Sequence, residues 1–249
     1  MNATKLAATA WADDLFVFGH SLSSWITDYV DMEESLAVGS MSQECLAHAV
    51  ALWKRAGMSA EERDRHVFTD PLSDWHPAAL VAEPATIWPD LVAQGWLFSQ
   101  ACCCVAEYLG SQNDQTDSVF DVMVAEQTLH VRHWQRWVEM LLGDQRTRPE
   151  LVESLTNRLA STSDLLQPVL PAESVRQGAD ENLLNSWSAH LREAQMRIGD
   201  AAVARSGAPA AAVDGARRPI SDGDALARLF GRIREVRSKH PEWRYEIYD

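Results

Sequence analysis

The sequence predicts an all-α protein, a four-helix bundle extended by further helices at its C-terminal end. Three observations carry this. Apolar residues recur at helical spacing in several long runs, most clearly over 120–142, where Phe120, Met123, Val124, Leu129, Val131, Trp134, Trp137, Val138, Leu141 and Leu142 mark one stripe. No stretch alternates polar and apolar residues as a half-buried strand does. The long runs are joined by a short turn, a long crossover and a second short turn.

In chain order, the first helix is expected over about 4–27, with Trp11, Leu15, Phe18, Leu22 and Trp25 as its apolar stripe and Asp13, Asp14 and His20 as polar insertions. The acidic turn of Asp28, Asp31, Glu33 and Glu34 leads into a second helix over 32–56, closed by Gly57. Ser59 and Glu62 have the spacing of a capping box and open a short segment. Residues 66–85, with Pro71, Pro77 and Pro84, read as an irregular crossover carrying Trp75 and His76. The third long helix spans 86–109, with Pro89 tolerated in its first turn. It is apolar nearly all round and therefore central. The fourth is 120–142, with Gly143 where a left-handed C-cap is expected. Further helices follow over about 147–166, 182–204 and 222–239, the last of them basic. SGAPAAAVDGARRP, 206–219, reads as an exposed linker. The domain reading is a bundle over 1–205, this linker, and a C-terminal helix and tail over 220–249 that belong to the same domain. Helices one and two, and three and four, pair through short turns across one crossover. That is the ferritin-like connectivity.

Composition narrows function. The chain has 249 residues, 46% of them hydrophobic, which is ample for a core. A formal charge of −14 argues against nucleic-acid binding, which needs clustered Lys and Arg. No apolar run reaches the ~20 residues of a membrane span, and Asp13 and Asp14 break the one N-terminal candidate for a signal sequence. A cytoplasmic protein is expected. Cys45 and the consecutive Cys102, Cys103 and Cys104 read as buried free thiols, because adjacent helical residues point to different sides and cannot share a metal. Ten Trp is a high count, and these rings are expected between helices or at a subunit interface.

The constellation with chemical content is two acid–histidine pairs on two long helices. Glu44 and His48 lie one turn apart, as do Glu126 and His130, so each pair shares a face. A di-iron bundle takes one Glu from each of two helices and a Glu-x-x-His from each of the other two. Both pairs here are spaced by four, with Ala47 and Leu129 at the three-residue positions. Asp14, 30 positions before Glu44, could supply the first-helix acid; the corresponding positions before Glu126 are Leu97 and Trp96, 29 and 30 residues upstream. The nearby Ser99 and Gln100 are neutral, and Glu107 lies about three turns further on. Two iron ions lacking a fourth carboxylate would be poorly neutralised. Three readings stay open: a working di-iron site on Asp14, Glu44, His48, Glu126 and His130; a vestige in which these residues hydrogen-bond one another; or side chains sharing no cavity. His133, His20 and His190 carry no ligand signal.

Taken together, WADDLFVFGHSLSSW, MEESLAVGSMSQECLAHAVAL, AEQTLHVRHWQRWVEMLLGD and the terminal RSKHPEWRY resemble the structural C subunit family of phenylacetyl-CoA epoxidase. That family opens with a Leu-Ala-Asp-Asp helix and a Glu-Glu-Asp-Ile-Ala-Leu-Ala helix, and later carries a Glu-x-x-x-His helix trailing Trp-Val and Leu-Gly-Asp. The similarity covers 10–145 and the tail, and is weak over 146–220. It implies a ferritin-like, non-catalytic subunit of a multicomponent monooxygenase, active in phenylacetate-type aromatic degradation. Its partner would be a paralogous catalytic subunit whose di-iron centre puts one oxygen atom into the ring of an aryl-CoA thioester. A flavin and iron–sulfur reductase and small accessory subunits would complete the complex. No cofactor is then expected in this chain. The family commonly has Asp where Ser99 stands and Gln where His48 stands. The alternative is a divergent catalytic di-iron oxygenase or oxidase.

Overall fold

A computed structural model of the chain describes residues 3–27, 31–112, 118–170, 181–199 and 217–241, with side chains from residue 7. Within them the protein is all-α, as predicted, with a ferritin-like order of elements. Two compact units are present, one formed by residues 1–84 with 217–249 and the other by 85–216. Each is built on one long helical hairpin.

The first unit pairs α1 (Ala3–Ser23) with α2 (Met32–Arg55). Asp31 caps α2, its carboxylate accepting from the amides of Glu33 and Glu34 at 2.9 and 3.2 Å. The hairpin closes on Gly19, where an added Cβ would meet the Ser42 carbonyl at 3.0 Å, and the Ser42 hydroxyl donates to the Gly19 carbonyl at 2.7 Å. Gly57 follows α2 with φ 82°, the left-handed ending that the sequence suggested for Gly143. Gly143 instead remains the last helical residue of its own helix. The predicted capping box is present at Ser59 and Glu62, and starts α3 (Ala60–Phe68).

The crossover is better ordered than its prolines suggested. A 3-10 turn (Leu72–Asp74) and a single-turn helix α4 (Ala79–Ala82) place Trp75 at 0% exposure in the core. The last helix, α9 (Ala225–Lys239), returns to this unit. Arg234 donates to the carbonyls of Val67 and Asp70 at 3.0 and 2.7 Å, and Arg237 pairs with Asp64 at 2.8 Å. The Arg234 guanidinium thus satisfies carbonyls at and just beyond the end of α3, while Arg237 neutralises a carboxylate on the same helix. Phe16, Trp53, Trp75 and Phe230 pack as one aromatic cluster, with centroid separations of 4.6–6.2 Å.

The second unit pairs α5 (Trp88–Ser111) with α6 (Ser118–Gly143), then adds α7 (Arg148–Ala160) and α8 (Glu181–Ile198). As its sequence predicts, α5 is buried along most of its length. Its hairpin also closes on a glycine, but more tightly. A Cβ at Gly95 would stand 2.5–2.8 Å from the ring of Trp134, which is itself fully buried. Asp90, in the first turn of α5, takes a two-point ion pair from Arg158 of α7 at 2.7 and 2.6 Å. No helix among the described residues is long and apolar enough to cross a membrane.

Among the described residues six tryptophans, Trp11, Trp53, Trp75, Trp96, Trp134 and Trp187, are buried, and Trp25, Trp88 and Trp137 are half-buried; Trp243 lies outside them. The rings expected in part at a subunit interface therefore go largely into the chain's own core. The large exposed apolar side chains are aliphatic, Met32, Leu36, Leu129, Met140 and Met196 among them.

Gly95→Ala should lower unfolding stability by about 1–3 kcal/mol or more, because the indole of Trp134 has no room to retreat. Urea unfolding monitored by circular dichroism measures this. A change within 0.5 kcal/mol of zero would show that the two helices can separate freely at this point.

Candidate functional site

The two adjacent acids of α1 divide between two networks. Asp13 is buried, and its Oδ1 accepts from the Trp53 indole at 2.9 Å and lies 3.1 Å from His66 Nε2. His66 stacks on Trp75, with centroids 4.2 Å apart and rings within 8° of parallel. Asp13 thereby joins α1, α2 and α3 at one oxygen, and the His66 ring carries the contact on to Trp75 of the crossover.

Asp14, a candidate ligand, takes a different set of partners. Its carboxylate accepts from the Ala78 amide at 2.8 Å and from both terminal nitrogens of Arg217 at 3.1 and 2.8 Å. Both side chains are nearly sealed from solvent, at 4% exposure for Arg217 and 2% for Asp14. Arg217 also donates to the His76 carbonyl at 3.3 Å, and the Ile220 amide donates to the Trp75 carbonyl at 3.1 Å. In place of the reading in which Asp14 hydrogen-bonds the other acids and histidines, its partners here are Ala78 and a residue 203 positions away. Of the 206–219 segment, expected to be an exposed linker, residues 217–219 are described: Arg218 and Pro219 are exposed, while Arg217 turns its side chain inward. Residues 206–216 lie outside the described residues. A carboxylate inside an apolar helix needs a cation and a donor, and the chain supplies them from distant positions.

Burial dominates the electrostatics of Asp14. It pushes the carboxyl up to about 6 from an ordinary 3.8, against the Arg217 charge and the Ala78 and Arg217 hydrogen bonds, which pull it down. The folded protein therefore takes up a proton in a range where the unfolded chain does not. The contribution of Asp14 is complete below the unfolded value near 4 and is lost as pH rises through about 6.

The acid–histidine pairs keep their helical faces. On α2, His48 is buried and Glu44 half-buried, with the Ser40 hydroxyl donating to Glu44 Oε1 at 3.3 Å. On α6, His130 is 2% exposed and Glu126 half-buried. None of the four lacks a partner. His133 sets its edge against Trp134, 5.0 Å between centroids. His20 packs edge-on against Phe16, and burial pushes its imidazole down to about 4, so it is neutral at physiological pH. Within each unit, among the described residues, no three His, Cys, Asp and Glu side chains are grouped as a metal site needs.

On α5, Trp96, Leu97 and Ser99 are at 0% exposure and Gln100 at 2%. The helix thus puts neutral side chains into its interior where a di-iron bundle requires a carboxylate. Glu107 is exposed and lines a groove of about 300 Å³ with Asp121, Phe120 and Val124. The cysteines are free thiols. Burial pushes Cys103 up to about 12 and Cys104 up to about 11, which makes both poor nucleophiles.

Sequence reasoning missed His66 and Arg217 and gave Asp13 no role. Two consecutive acids on an otherwise apolar helix were the available signal, since such groups demand partners. Nothing local indicated which residues would provide them.

Arg217→Ala should cost about 3–5 kcal/mol at neutral pH by leaving Asp14 buried and unpaired. In urea unfolding across a pH series, the wild type should lose stability relative to Asp14→Asn as pH rises from about 4 to 6. A difference that ran the other way would mean that attraction to Arg217, not burial, governs this carboxylate.

Among curated proteins, none matches the chain. The family described as phenylacetic acid catabolic protein matches it over residues 2–210. That span takes in both helical hairpins, both acid–histidine pairs and the two acids of α1, and stops short of Arg217 and α9. The chain belongs to the phenylacetic acid catabolic protein family.

Proposed function

We propose that this protein acts in phenylacetic acid catabolism as a non-catalytic, structural subunit of a multicomponent di-iron aryl-CoA monooxygenase. The observation that carries this reading is the commitment of Asp14 to Arg217 and Ala78. A ligand carboxylate must turn its oxygens to the metal, and these are held by a guanidinium and an amide. Ser99, neutral and fully buried on α5, adds no charge. The donor set that remains, Glu44, His48, Glu126 and His130, does not fit two iron ions, which need four carboxylates and two histidines. Oxygen insertion then belongs to a paralogous iron-bearing subunit, with electrons from a separate reductase, and this chain supports that subunit.

A second reading keeps one specific support. Both acid–histidine pairs survive with the histidines buried, as a divergent catalytic di-iron oxygenase or oxidase would require. Metal content separates the two. After anaerobic reconstitution with ferrous iron, elemental analysis and Mössbauer spectroscopy of the isolated chain should find no stoichiometric iron. Two irons per chain would overturn the structural reading. In the co-expressed complex, Glu126→Gln should leave turnover per assembled complex within about two-fold of wild type. Intact assembly with turnover reduced by the ~10²-fold or more typical of a lost catalytic group would favour the second reading.

The exposed aliphatic side chains of α2 and α6, Met32, Leu36, Leu129 and Met140, supply apolar surface for such a partner. Sedimentation of the chain alone and with its co-expressed paralogue should show a stable heteromer. A chain that stays monomeric and ignores the paralogue at micromolar concentration would remove this support.

A further inference from the structure

The C-terminal segment is held by its own unit at a few separate points. Arg217 reaches Asp14, and the Ile220 amide reaches the Trp75 carbonyl. The Phe230 ring lies 4.6 Å from that of Trp75 and 6.1 Å from that of Phe16, between centroids. Further along α9, Arg234 binds the Val67 and Asp70 carbonyls, and Arg237 pairs with Asp64 while lying 5.2 Å from the centroid of the Phe68 ring. Phe230, Arg234 and Arg237 are four and three residues apart and so share one face. Of α9 itself, Leu226, Leu229 and Phe230 are buried, whereas Arg228, Arg232 and Val236 are exposed.

This is the pattern of a docked helix. Residues 217–239 hold seven Arg and Lys against three Asp and Glu, in a chain of formal charge −14, so the segment is a basic element on an acidic body. Its seat on α1, α3 and the crossover lies inside the 2–210 span that the family matches, and the segment lies wholly outside it. At Asp14, burial outweighs the attraction to Arg217, and release returns both groups to water. Arg234 and Arg237 bind at a part-buried rim. An element with few buried apolar side chains opens before the rest of its unit. We propose that residues 217–239 are a releasable clasp, a basic amphipathic helix occupying in cis a helix-recognition site formed by α1, α3 and the crossover. The site takes an aromatic ring against Phe16 and Trp75, and arginines four and seven positions further on. While the clasp is closed, a second helix of the same chemistry is shut out.

The test uses the full chain and a fluorescein-labelled synthetic peptide of residues 217–239, with binding read by fluorescence anisotropy. A tethered helix has an effective concentration of about millimolar, so micromolar peptide should not bind the wild type. The full-length variant F230D/R234E, whose own helix is weakened, should bind the peptide one to one and at least about tenfold more tightly than wild type does. A peptide carrying the same two substitutions should not bind this variant. The proposal is overturned if the folded variant ignores the peptide, if wild type binds it equally well, or if the substituted peptide binds as tightly. Hydrogen exchange of the wild type is a second measurement, independent of any variant. Amides of α9 should exchange at least about tenfold faster than the buried amides of α1 and α2, because the clasp opens alone. Equal protection would also overturn the proposal, since the segment would then leave only when the whole unit unfolds.

Discussion

The first unit depends on one buried ion pair. Asp14 sits on a helix whose neighbouring residues are almost all buried, and a carboxylate there is tolerable only if its oxygens are filled. Ala78 fills part of the requirement and fixes the crossover beside α1. Arg217 fills the rest and brings in the chain from 203 residues away. Ile220 then bonds the Trp75 carbonyl, and α9 returns to place Phe230 against Trp75. The pair is not a source of stability in itself, since burial outweighs the attraction to Arg217 and holds the carboxyl near 6. Its value is positional. The alternatives that would leave either charge alone in the interior are all worse.

A second constraint governs both hairpins. Long apolar helices bury most area when their axes come close, and a residue without a side chain allows that. Gly19 lets the Ser42 carbonyl of α2 approach α1, and Gly95 lets a whole indole lie on α5. The first contact is sealed by a hydrogen bond from the Ser42 hydroxyl. The second is a packing contact alone, and the Trp134 indole N–H has no hydrogen-bond partner among the described residues.

These constraints also account for the functional reading. An acid–histidine pair on each of two long helices is the residue material of a di-iron bundle, and His48 and His130 are each buried within their own unit. Asp14 on α1 is held in an ion pair with Arg217, and the buried side chains Trp96, Leu97, Ser99 and Gln100 of α5 are neutral.

Much of this was written locally and legible in the sequence. Helical periodicity identified the long helices to within a few residues at most ends, because the apolar spacing of each helix is set within that helix. The capping box at Ser59 and the central burial of α5 follow from the same local rules. The acid–histidine pairs were visible because four residues make one helical turn. What periodicity could not supply was the partner of any polar group across long stretches of chain. Asp14 resembles a ligand until Arg217 is seen to hold it, and Trp75 resembles a loop residue until Phe16, Trp53 and Phe230 are seen around it. Charge neutralisation and ring packing act through space between residues far apart in the chain, and only the folded structure decides which of them meet.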